Sequence, residues 1–320
     1  MLIKFAKFQL NLFWRLIKKG YSPKTIKGFK ELGWSLYHLR VNWGDLLVRE
    51  TAEKFFHVDL FSKFYSGVVF GGSMLGPDLY ETSRAFSSSK PILAVSCGIK
   101  EPLKPFKIPS TLKIIGVRGY KTAEIISKTN VVGDPGMLSP ILFGLKPTIG
   151  SGLQKIFIPH ASDNSKPIGS DYKTYTTSIS YGKSSIHLLR IINESDFVLA
   201  GSLHAGICAY ACGTPFSFYA GMNAQNLFKY HDFASVQNFE VVFNNDFQSG
   251  IEWYLNHDTI RNPTKVDQFD VYARELEKFS RYTKSELYSI IRCFNEARND
   301  INYLKTQKLK QFKSQNFQST

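Results

Sequence analysis

The 320-residue sequence predicts an α/β protein: two doubly wound, Rossmann-like units followed by a mainly helical carboxyl-terminal region. Three observations carry that expectation. Short apolar runs ending in glycine alternate with helix-compatible stretches through residues 67–132, the pattern of a parallel sheet with crossover helices. Lys146–Gly152, KPTIGSG, then interrupts with the proline and glycine of a linker. Beyond it the alternation restarts at Lys155. The expected division is a basic amphipathic segment at 1–30, Rossmann-like units at 31–150 and 151–262, a helical region at 263–304 and a disordered basic tail at 305–320.

Residues 1–30 hold Lys4, Lys7, Arg15, Lys18, Lys19, Lys24, Lys27 and Lys30 and no acid. At helical spacing Lys4, Lys7, Asn11, Arg15 and Lys18 form one narrow stripe, and Leu2, Phe5, Phe8, Leu12, Phe13, Trp14, Leu16 and Ile17 cover most of the remainder. A helix lying in a membrane interface is built this way. So is a helix that packs its apolar side on its own protein, and both readings stay open. Charges interrupt the segment too often for a transmembrane span or the apolar centre of a signal peptide. The expected location is cytoplasmic, with peripheral contact at the inner face of the cell membrane through residues 1–19.

The tail after Asn302 adds Lys305, Lys308, Lys310 and Lys313, again without an acid, so the two ends carry twelve of the charges behind the net +14. The body between them is close to neutral, and the ends lack an ordered aromatic platform, which argues against nucleic acid as a partner. Four cysteines without paired spacing argue against a disulfide framework and for a reducing compartment.

In chain order, Tyr21–Leu39 is helical in part, and Val41–Glu50, VNWGDLLVRE, reads as a turn entering a helix that Asn42 or Asp45 is suited to cap. Gly67–Phe70 is a strand running into GGSMLG, Gly71–Gly76. Glycines there let backbone approach a ligand closely, or simply make a tight turn; the spacing fits neither a dinucleotide fingerprint nor a P-loop. Pro91–Cys97 is a buried strand ending at Gly98, and Leu112–Val117 delivers Arg118 and Gly119 just before the helical run Tyr120–Ser127. An arginine at that edge is placed to clamp a carboxylate or phosphate, unless it serves a surface ion pair. Asn130–Val132 is a short strand ending in Gly133, Asp134 and Pro135. In the second unit, strand Lys155–Ile158 puts Pro159 and His160 at its carboxyl end, and a helix follows from about Ser184 to Asn193. Residues Val266 to Lys310 read as largely helical, with Pro263 marking where that region begins.

The most informative stretch is Asp196–Tyr219, DFVLAGSLHAGICAYACGTPFSFY. Phe197–Ala200 is a buried strand, Gly201 and Ser202 break it, a helix of small and apolar residues runs to Gly213, and Phe216–Tyr219 starts another strand. His204 therefore sits at the carboxyl end of a strand and in the first turn of a helix, where ligands bind open α/β sheets and the helix dipole favours an anion. An imidazole there can move a proton near neutral pH. The plain alternative is a satisfied structural histidine; small neighbours Ala205 and Gly206, which leave room for a ligand, favour the functional reading. His204, Cys208 and Cys212 share a helical face, but zinc sites usually take four ligands in recognisable spacing, so a buried helix explains the cysteines better than a metal.

Taken together, NWGD at Asn42–Asp45, the strand into Gly71 and Gly72, GVRGYKT at Gly116–Thr122, GDP at Gly133–Pro135, IPH at Ile158–His160, SLH at Ser202–His204 and KYHDF at Lys229–Phe233 resemble the polysaccharide pyruvyl transferase family. Their order and spacing cover roughly residues 40–235. The resemblance implies a two-domain architecture similar to GT-B glycosyltransferases. It also implies transfer of a pyruvyl group from phosphoenolpyruvate, as co-substrate without a further cofactor or metal, to a sugar of a surface polysaccharide or exopolysaccharide. On that reading His204 is the general acid/base, and Asn42, Asp45, Gly71, Gly72, Arg118, Lys121, Asp134, His160, Ser202 and Lys229 are candidate substrate contacts. Some family members carry arginine where this chain has Ser202, and Arg118, Lys229 or His160 would have to replace that cation. Ser-Leu-His also occurs in exopolysaccharide members that this chain resembles.

Two other functions fit the same pattern. A nucleotide-sugar glycosyltransferase shares the two-sheet layout and would bind a nucleoside diphosphate sugar. A non-catalytic, membrane-associated factor for polysaccharide assembly would keep its role without His204.

Overall fold

The computed structural model describes residues 42–57, 64–65, 67–76, 90–99, 108–126, 130–160, 163, 165–169, 171–177, 184–219, 221, 226–257, 274–275 and 277–317. The amphipathic segment 1–30, the partly helical 21–39 and the Pro263 boundary lie outside the described residues.

Helix α1 (Trp43–Phe55) begins where expected, with the Asn42 side chain accepting from Gly44 N at 3.0 Å. Three parallel strands follow, β1 (Gly67–Phe70), β2 (Ile92–Cys97) and β3 (Leu112–Val117), side by side in the order β1-β2-β3. All of β2 is buried, as a central strand covered on both faces requires. Helix α2 (Tyr120–Ile126), a 3-10 turn (Pro135–Leu138) and the short α3 (Ser139–Leu142) complete the first half. The strand expected at Asn130–Val132 is a single parallel bridge from Val131 to Val117. Gly133, with φ +81°, turns the chain away into the 3-10 turn.

The second half is a five-stranded parallel sheet in the order β5-β4-β6-β7-β8: β4 (Lys155–Ile158), β5 (Lys173–Thr174), β6 (Phe197–Ala200), β7 (Phe216–Tyr219) and β8 (Phe243–Asn244). Its helices are α4 (Ile186–Glu194), α5 (Leu203–Cys212), α6 (Phe228–Gln237) and α7 (Phe247–Asn256). Helix α5 is buried at nine of its ten positions and ends at Gly213 in the left-handed conformation (φ +70°). That explains its run of Ala, Gly and Cys: only small side chains let a helix sit this close to its neighbours. A side chain on Gly206 would overlap Phe218, and one on Gly136 would press on Ile207 of α5.

One apolar core runs through both halves. It joins Phe70, Leu93 and Val95 of the first sheet to Ala205, Ile207 and Ala209 of α5 and to Phe157, Leu199 and Phe218 of the second sheet. The structure is thus a mixed α/β arrangement of two parallel sheets with shared packing between them.

The helix expected as far as Lys310 is present from Lys284 and continues into the tail expected to be disordered. Helix α8 runs from Lys284 to Phe317 and starts with a reciprocal cap, Glu286 N to Thr283 Oγ1 and Thr283 N to Glu286 Oε2. Lys305, Thr306 and Leu309 are buried. Lys305 Nζ donates to Asn193 O (2.6 Å) and Thr214 Oγ1 (3.0 Å), and Lys308 Nζ to Asp196 Oδ1 (2.7 Å), Gly150 O (3.1 Å) and Gly152 O. Charge counting shows these lysines only as part of a basic end; in the structure they cap carbonyls of the connection at 145–154 and the base of the second sheet. The carboxyl-terminal region also reaches the first half, where Arg281 Nε donates to Phe56 O at 3.0 Å and Ser280 bridges Phe56.

Candidate active site where the two sheets meet

Strands β4 and β6 end together. A side chain on Gly201, just past β6, would come within 3.1 Å of both Pro159 Cα and His160 N, so glycine is what lets the two strand ends close up. His160 is thereby set beside the start of α5. Ser202 is the N-cap residue of α5, in extended conformation and 5% exposed, and its hydroxyl makes no capping bond. His204 stands half-buried in the first turn. Its ring lies against Gly44 of α1, where any side chain would overlap the imidazole. His204 Nε2 is buried and has no hydrogen-bond partner among the described residues. Leaving a buried polar atom unpaired costs about 1–3 kcal/mol, so this nitrogen is open to a hydrogen bond from a ligand.

Helix α1 is held over this edge by its own residues. Trp43 N donates to Thr177 O and Trp43 Nε1 to Ser185 O, both at 2.8 Å, and Glu50 accepts from Ser185 N at 3.1 Å. These bonds bring the NWGD stretch of the first half against the second sheet. Asp45, in the first turn of α1, consequently acts on His160. The His160 imidazole is held below its ordinary pKa, first by burial and next by the Lys229 ammonium on α6; Asp163 and Asp45 oppose the shift, and His204 adds to it. Five ionisable groups from four separate stretches of chain therefore form one electrostatic cluster: Asp45, His160 with Asp163, His204 and Lys229. Tyr230, next to Lys229, ties α6 to the corner through a 3.0 Å bond from its hydroxyl to Gly201 O.

The remaining expected residues lie on the first sheet's side. Gly71 and Gly72 both have φ +73°, and a side chain on Gly71 would come within 2.5 Å of Pro135. The turn therefore needs glycine for its backbone, whatever it binds. Asp134 is buried; Oδ1 accepts from Gly136 N at 2.9 Å, capping the 3-10 turn, and Oδ2 has no partner among the described residues. Arg118 is not an open clamp. It is 1% exposed, with Nε donating to Asp232 Oδ2 and Nη1 to Ser73 Oγ, each at 3.0 Å, while Nη2 has no partner among the described residues. Lys121 is exposed on α2, and its charge bears on His231 rather than on His160.

Asn42 acts as the α1 cap described above. Cys208 is fully buried, and burial pushes its thiol well above the ordinary value, which opposes the thiolate a metal needs. Among the described residues no group of three or more His, Cys, Asp or Glu is placed to hold a metal ion.

Sequence reasoning missed Asp163, Asp232 and Gly44 as site residues. Gly44 and Asp232 lie inside motifs already singled out, NWGD and KYHDF, so the signal was present. Asp163 follows His160 by three positions and carries no signal by itself.

The fold and site define a mixed α/β protein with two parallel sheets, in which the ends of β4 and β6 meet a lysine on α6 and a carboxylate on α1 in one cluster. The family model of polysaccharide pyruvyl transferases matches residues 7–220, more than half of the chain, and the chain belongs to that family. The match includes His160 and His204; Lys229 and Asp232 follow it. A crystal structure of a functionally uncharacterised protein from Klebsiella pneumoniae shows 11% identity over 63% of this chain and 88% of that one, with a TM-score of 0.40. No curated protein matches the chain.

Proposed function

We propose that this chain transfers the pyruvyl group of phosphoenolpyruvate to two hydroxyls of a sugar in a surface polysaccharide or exopolysaccharide, forming a pyruvate ketal. The observation that carries the reading is the unpartnered, buried Nε2 of His204 in a cluster that also holds His160 and Lys229. In the reaction, carbon 2 of phosphoenolpyruvate takes both acceptor oxygens and inorganic phosphate leaves. One hydroxyl proton ends on the methylene carbon and the other on the phosphate, so the atoms balance without a cofactor. His204 serves as general acid/base, a role worth roughly 10² to 10⁴ in rate. Lys229 and the amino end of α5, whose cap hydroxyl at Ser202 is unused, meet the substrate's negative charge. His160, kept neutral near pH 7 by burial and Lys229, is the proton acceptor beside it. Arg118 supports this site through Ser73 of the glycine turn, with Gly71 and Gly72, and Asp45 balances the histidine cluster.

The two sheets are proposed to form a GT-B-like pair of domains, supported by the return of the carboxyl-terminal region to Phe56. Peripheral attachment through residues 1–19 at the cytoplasmic face of the membrane would bring the enzyme to a lipid-linked acceptor. Among the described residues no helix is long and apolar enough to cross a membrane. Liposome co-sedimentation with and without those residues checks the attachment, and equal partitioning of both forms would refute it.

The test of function is a thermal-shift titration with phosphoenolpyruvate against a panel of nucleoside diphosphate sugars, on wild type and Lys229→Met. Stabilisation by phosphoenolpyruvate that Lys229→Met removes is the expected outcome. Stabilisation by a nucleotide sugar alone would replace the reading with glycosyl transfer.

A further inference from the structure

Asp232 is fully buried on α6, a helix of the second half, yet its carboxylate is bonded entirely to the first. Oδ2 accepts from Arg118 Nε at 3.0 Å and from Thr122 Oγ1 at 2.8 Å, and Oδ1 accepts from Thr122 N at 2.8 Å. The approach is so close that a side chain on Gly119 would overlap both the Asp232 carbonyl and its carboxylate. Arg118 then extends the chain of contacts to Ser73 in the glycine turn. Its guanidinium lies over Gly98, where any side chain would overlap it, and Nη2 is buried without a partner among the described residues.

A pair that served only to join the two halves would be expected to satisfy every donor, because an unpaired buried polar group is costly. This one leaves a charged donor unfilled next to a glycine turn. At the other end, Lys229 lies one helical turn before Asp232, so the two share a face of α6, and Lys229 is the charge that acts on His160.

We propose that Asp232 is a positioning residue for the anion site. From α6 it fixes the Arg118 guanidinium behind Ser73 with Nη2 unfilled, and it seats α6 so that Lys229 faces the histidines; the two cations then act on one small acid bearing a phosphate and a carboxylate. The proposal rests on the pyruvyl-transfer reading for the identity of that acid.

Titration calorimetry with phosphoenolpyruvate tests it on the full chain and three variants, each with its melting temperature measured. Asp232→Asn keeps the shape and loses the charge on Arg118; its dissociation constant should rise at least tenfold. Thr122→Val removes one bond from the oxygen that holds Arg118 and should weaken binding a few-fold. Ser235→Ala cuts two bonds of the same helix seam, Tyr120 N to Ser235 Oγ and Ser235 Oγ to the Asp232 carbonyl, without touching Arg118 or the Asp232 carboxylate, and should bind as wild type.

Affinities that simply track melting temperature across the variants, Ser235→Ala included, would overturn the positioning role, as would a folded Asp232→Asn that binds as wild type. Should Asp232→Asn not fold, equal affinities of Thr122→Val and Ser235→Ala overturn it on their own. A wild type that binds no phosphoenolpyruvate would overturn the underlying reading and this inference with it.

Discussion

Lys305→Met isolates the energetics of a buried ammonium in α8. Lys305 is 0% exposed, and burial is the first cause that lowers its pKa from 10.5 to about 8, helped by Lys308 and opposed by Cys212, Asp196 and Glu194. At about 1.4 kcal/mol per pKa unit, holding that proton at pH 7 costs the fold on the order of 3 kcal/mol. The sign follows from proton counting. Between about pH 8 and 10.5 the unfolded chain keeps the proton that the folded chain has lost, so this site's contribution to stability rises with pH through that window. By pH 9 the rise relative to pH 7 is about 1 kcal/mol. Cys97, Cys212 and Tyr210, whose pKa values burial pushes up to about 12, pull the other way above pH 9. The quantity to measure is therefore the difference between wild type and Lys305→Met in urea-unfolding free energy at pH 7, 8 and 9. That difference should move in favour of wild type by about 1 kcal/mol. Parallel pH dependences would refute the reasoning and, with it, the packing of α8 beyond residue 304.

Lys229→Met should raise the His160 pKa toward its ordinary 6.5, though not all the way because burial remains; an NMR titration of the ring checks it, and an unchanged value places Lys229 away from the cluster. Gly44→Ala should drive the His204 ring out of position and lower pyruvyl-transfer rates by about the 10²-fold that a general acid/base contributes at its lower bound, read as kcat with phosphate release. Ending the chain after Leu304 removes Lys305, Lys308 and buried Leu309 and should abolish a cooperative thermal transition followed by circular dichroism.

The strands were legible because buried parallel strands are short apolar runs that end abruptly in glycine or polar residues. Gly67–Phe70, Leu112–Val117, Lys155–Ile158, Phe197–Ala200 and Phe216–Tyr219 coincide with the expected runs. The two-residue strands β5 and β8 had no such run, since edge strands this short are made by tertiary contact. The corner at His204 was legible for the same local reason as its strand. The partners of each side chain were not. Arg118 looks identical in sequence whether it opens to a ligand or pairs with Asp232, more than a hundred positions away; only the close approach of α6 over Gly119 decides. Helix as far as Lys310 was legible, but its continuation to Phe317 and the burial of Lys305 were not, because the carbonyls that these lysines cap lie more than a hundred positions away.

Arg118 and Lys229 play different parts at the proposed anion site. Two of the Arg118 nitrogens are committed to Asp232 and Ser73, leaving Nη2 for the ligand, while the cation bearing on His160 is Lys229, whose charge has a second effect there. The same field that draws an anion toward His204 also disfavours a proton on His160. An anion seated beside Lys229 offsets that field, so His160 becomes more basic when substrate arrives than it is in the empty site. On the proposed function, binding and proton acceptance are coupled through the Lys229 ammonium. Lys229→Met consequently separates two effects that a plain loss of affinity would merge: His160 gains basicity in the free protein, and its response to phosphoenolpyruvate disappears.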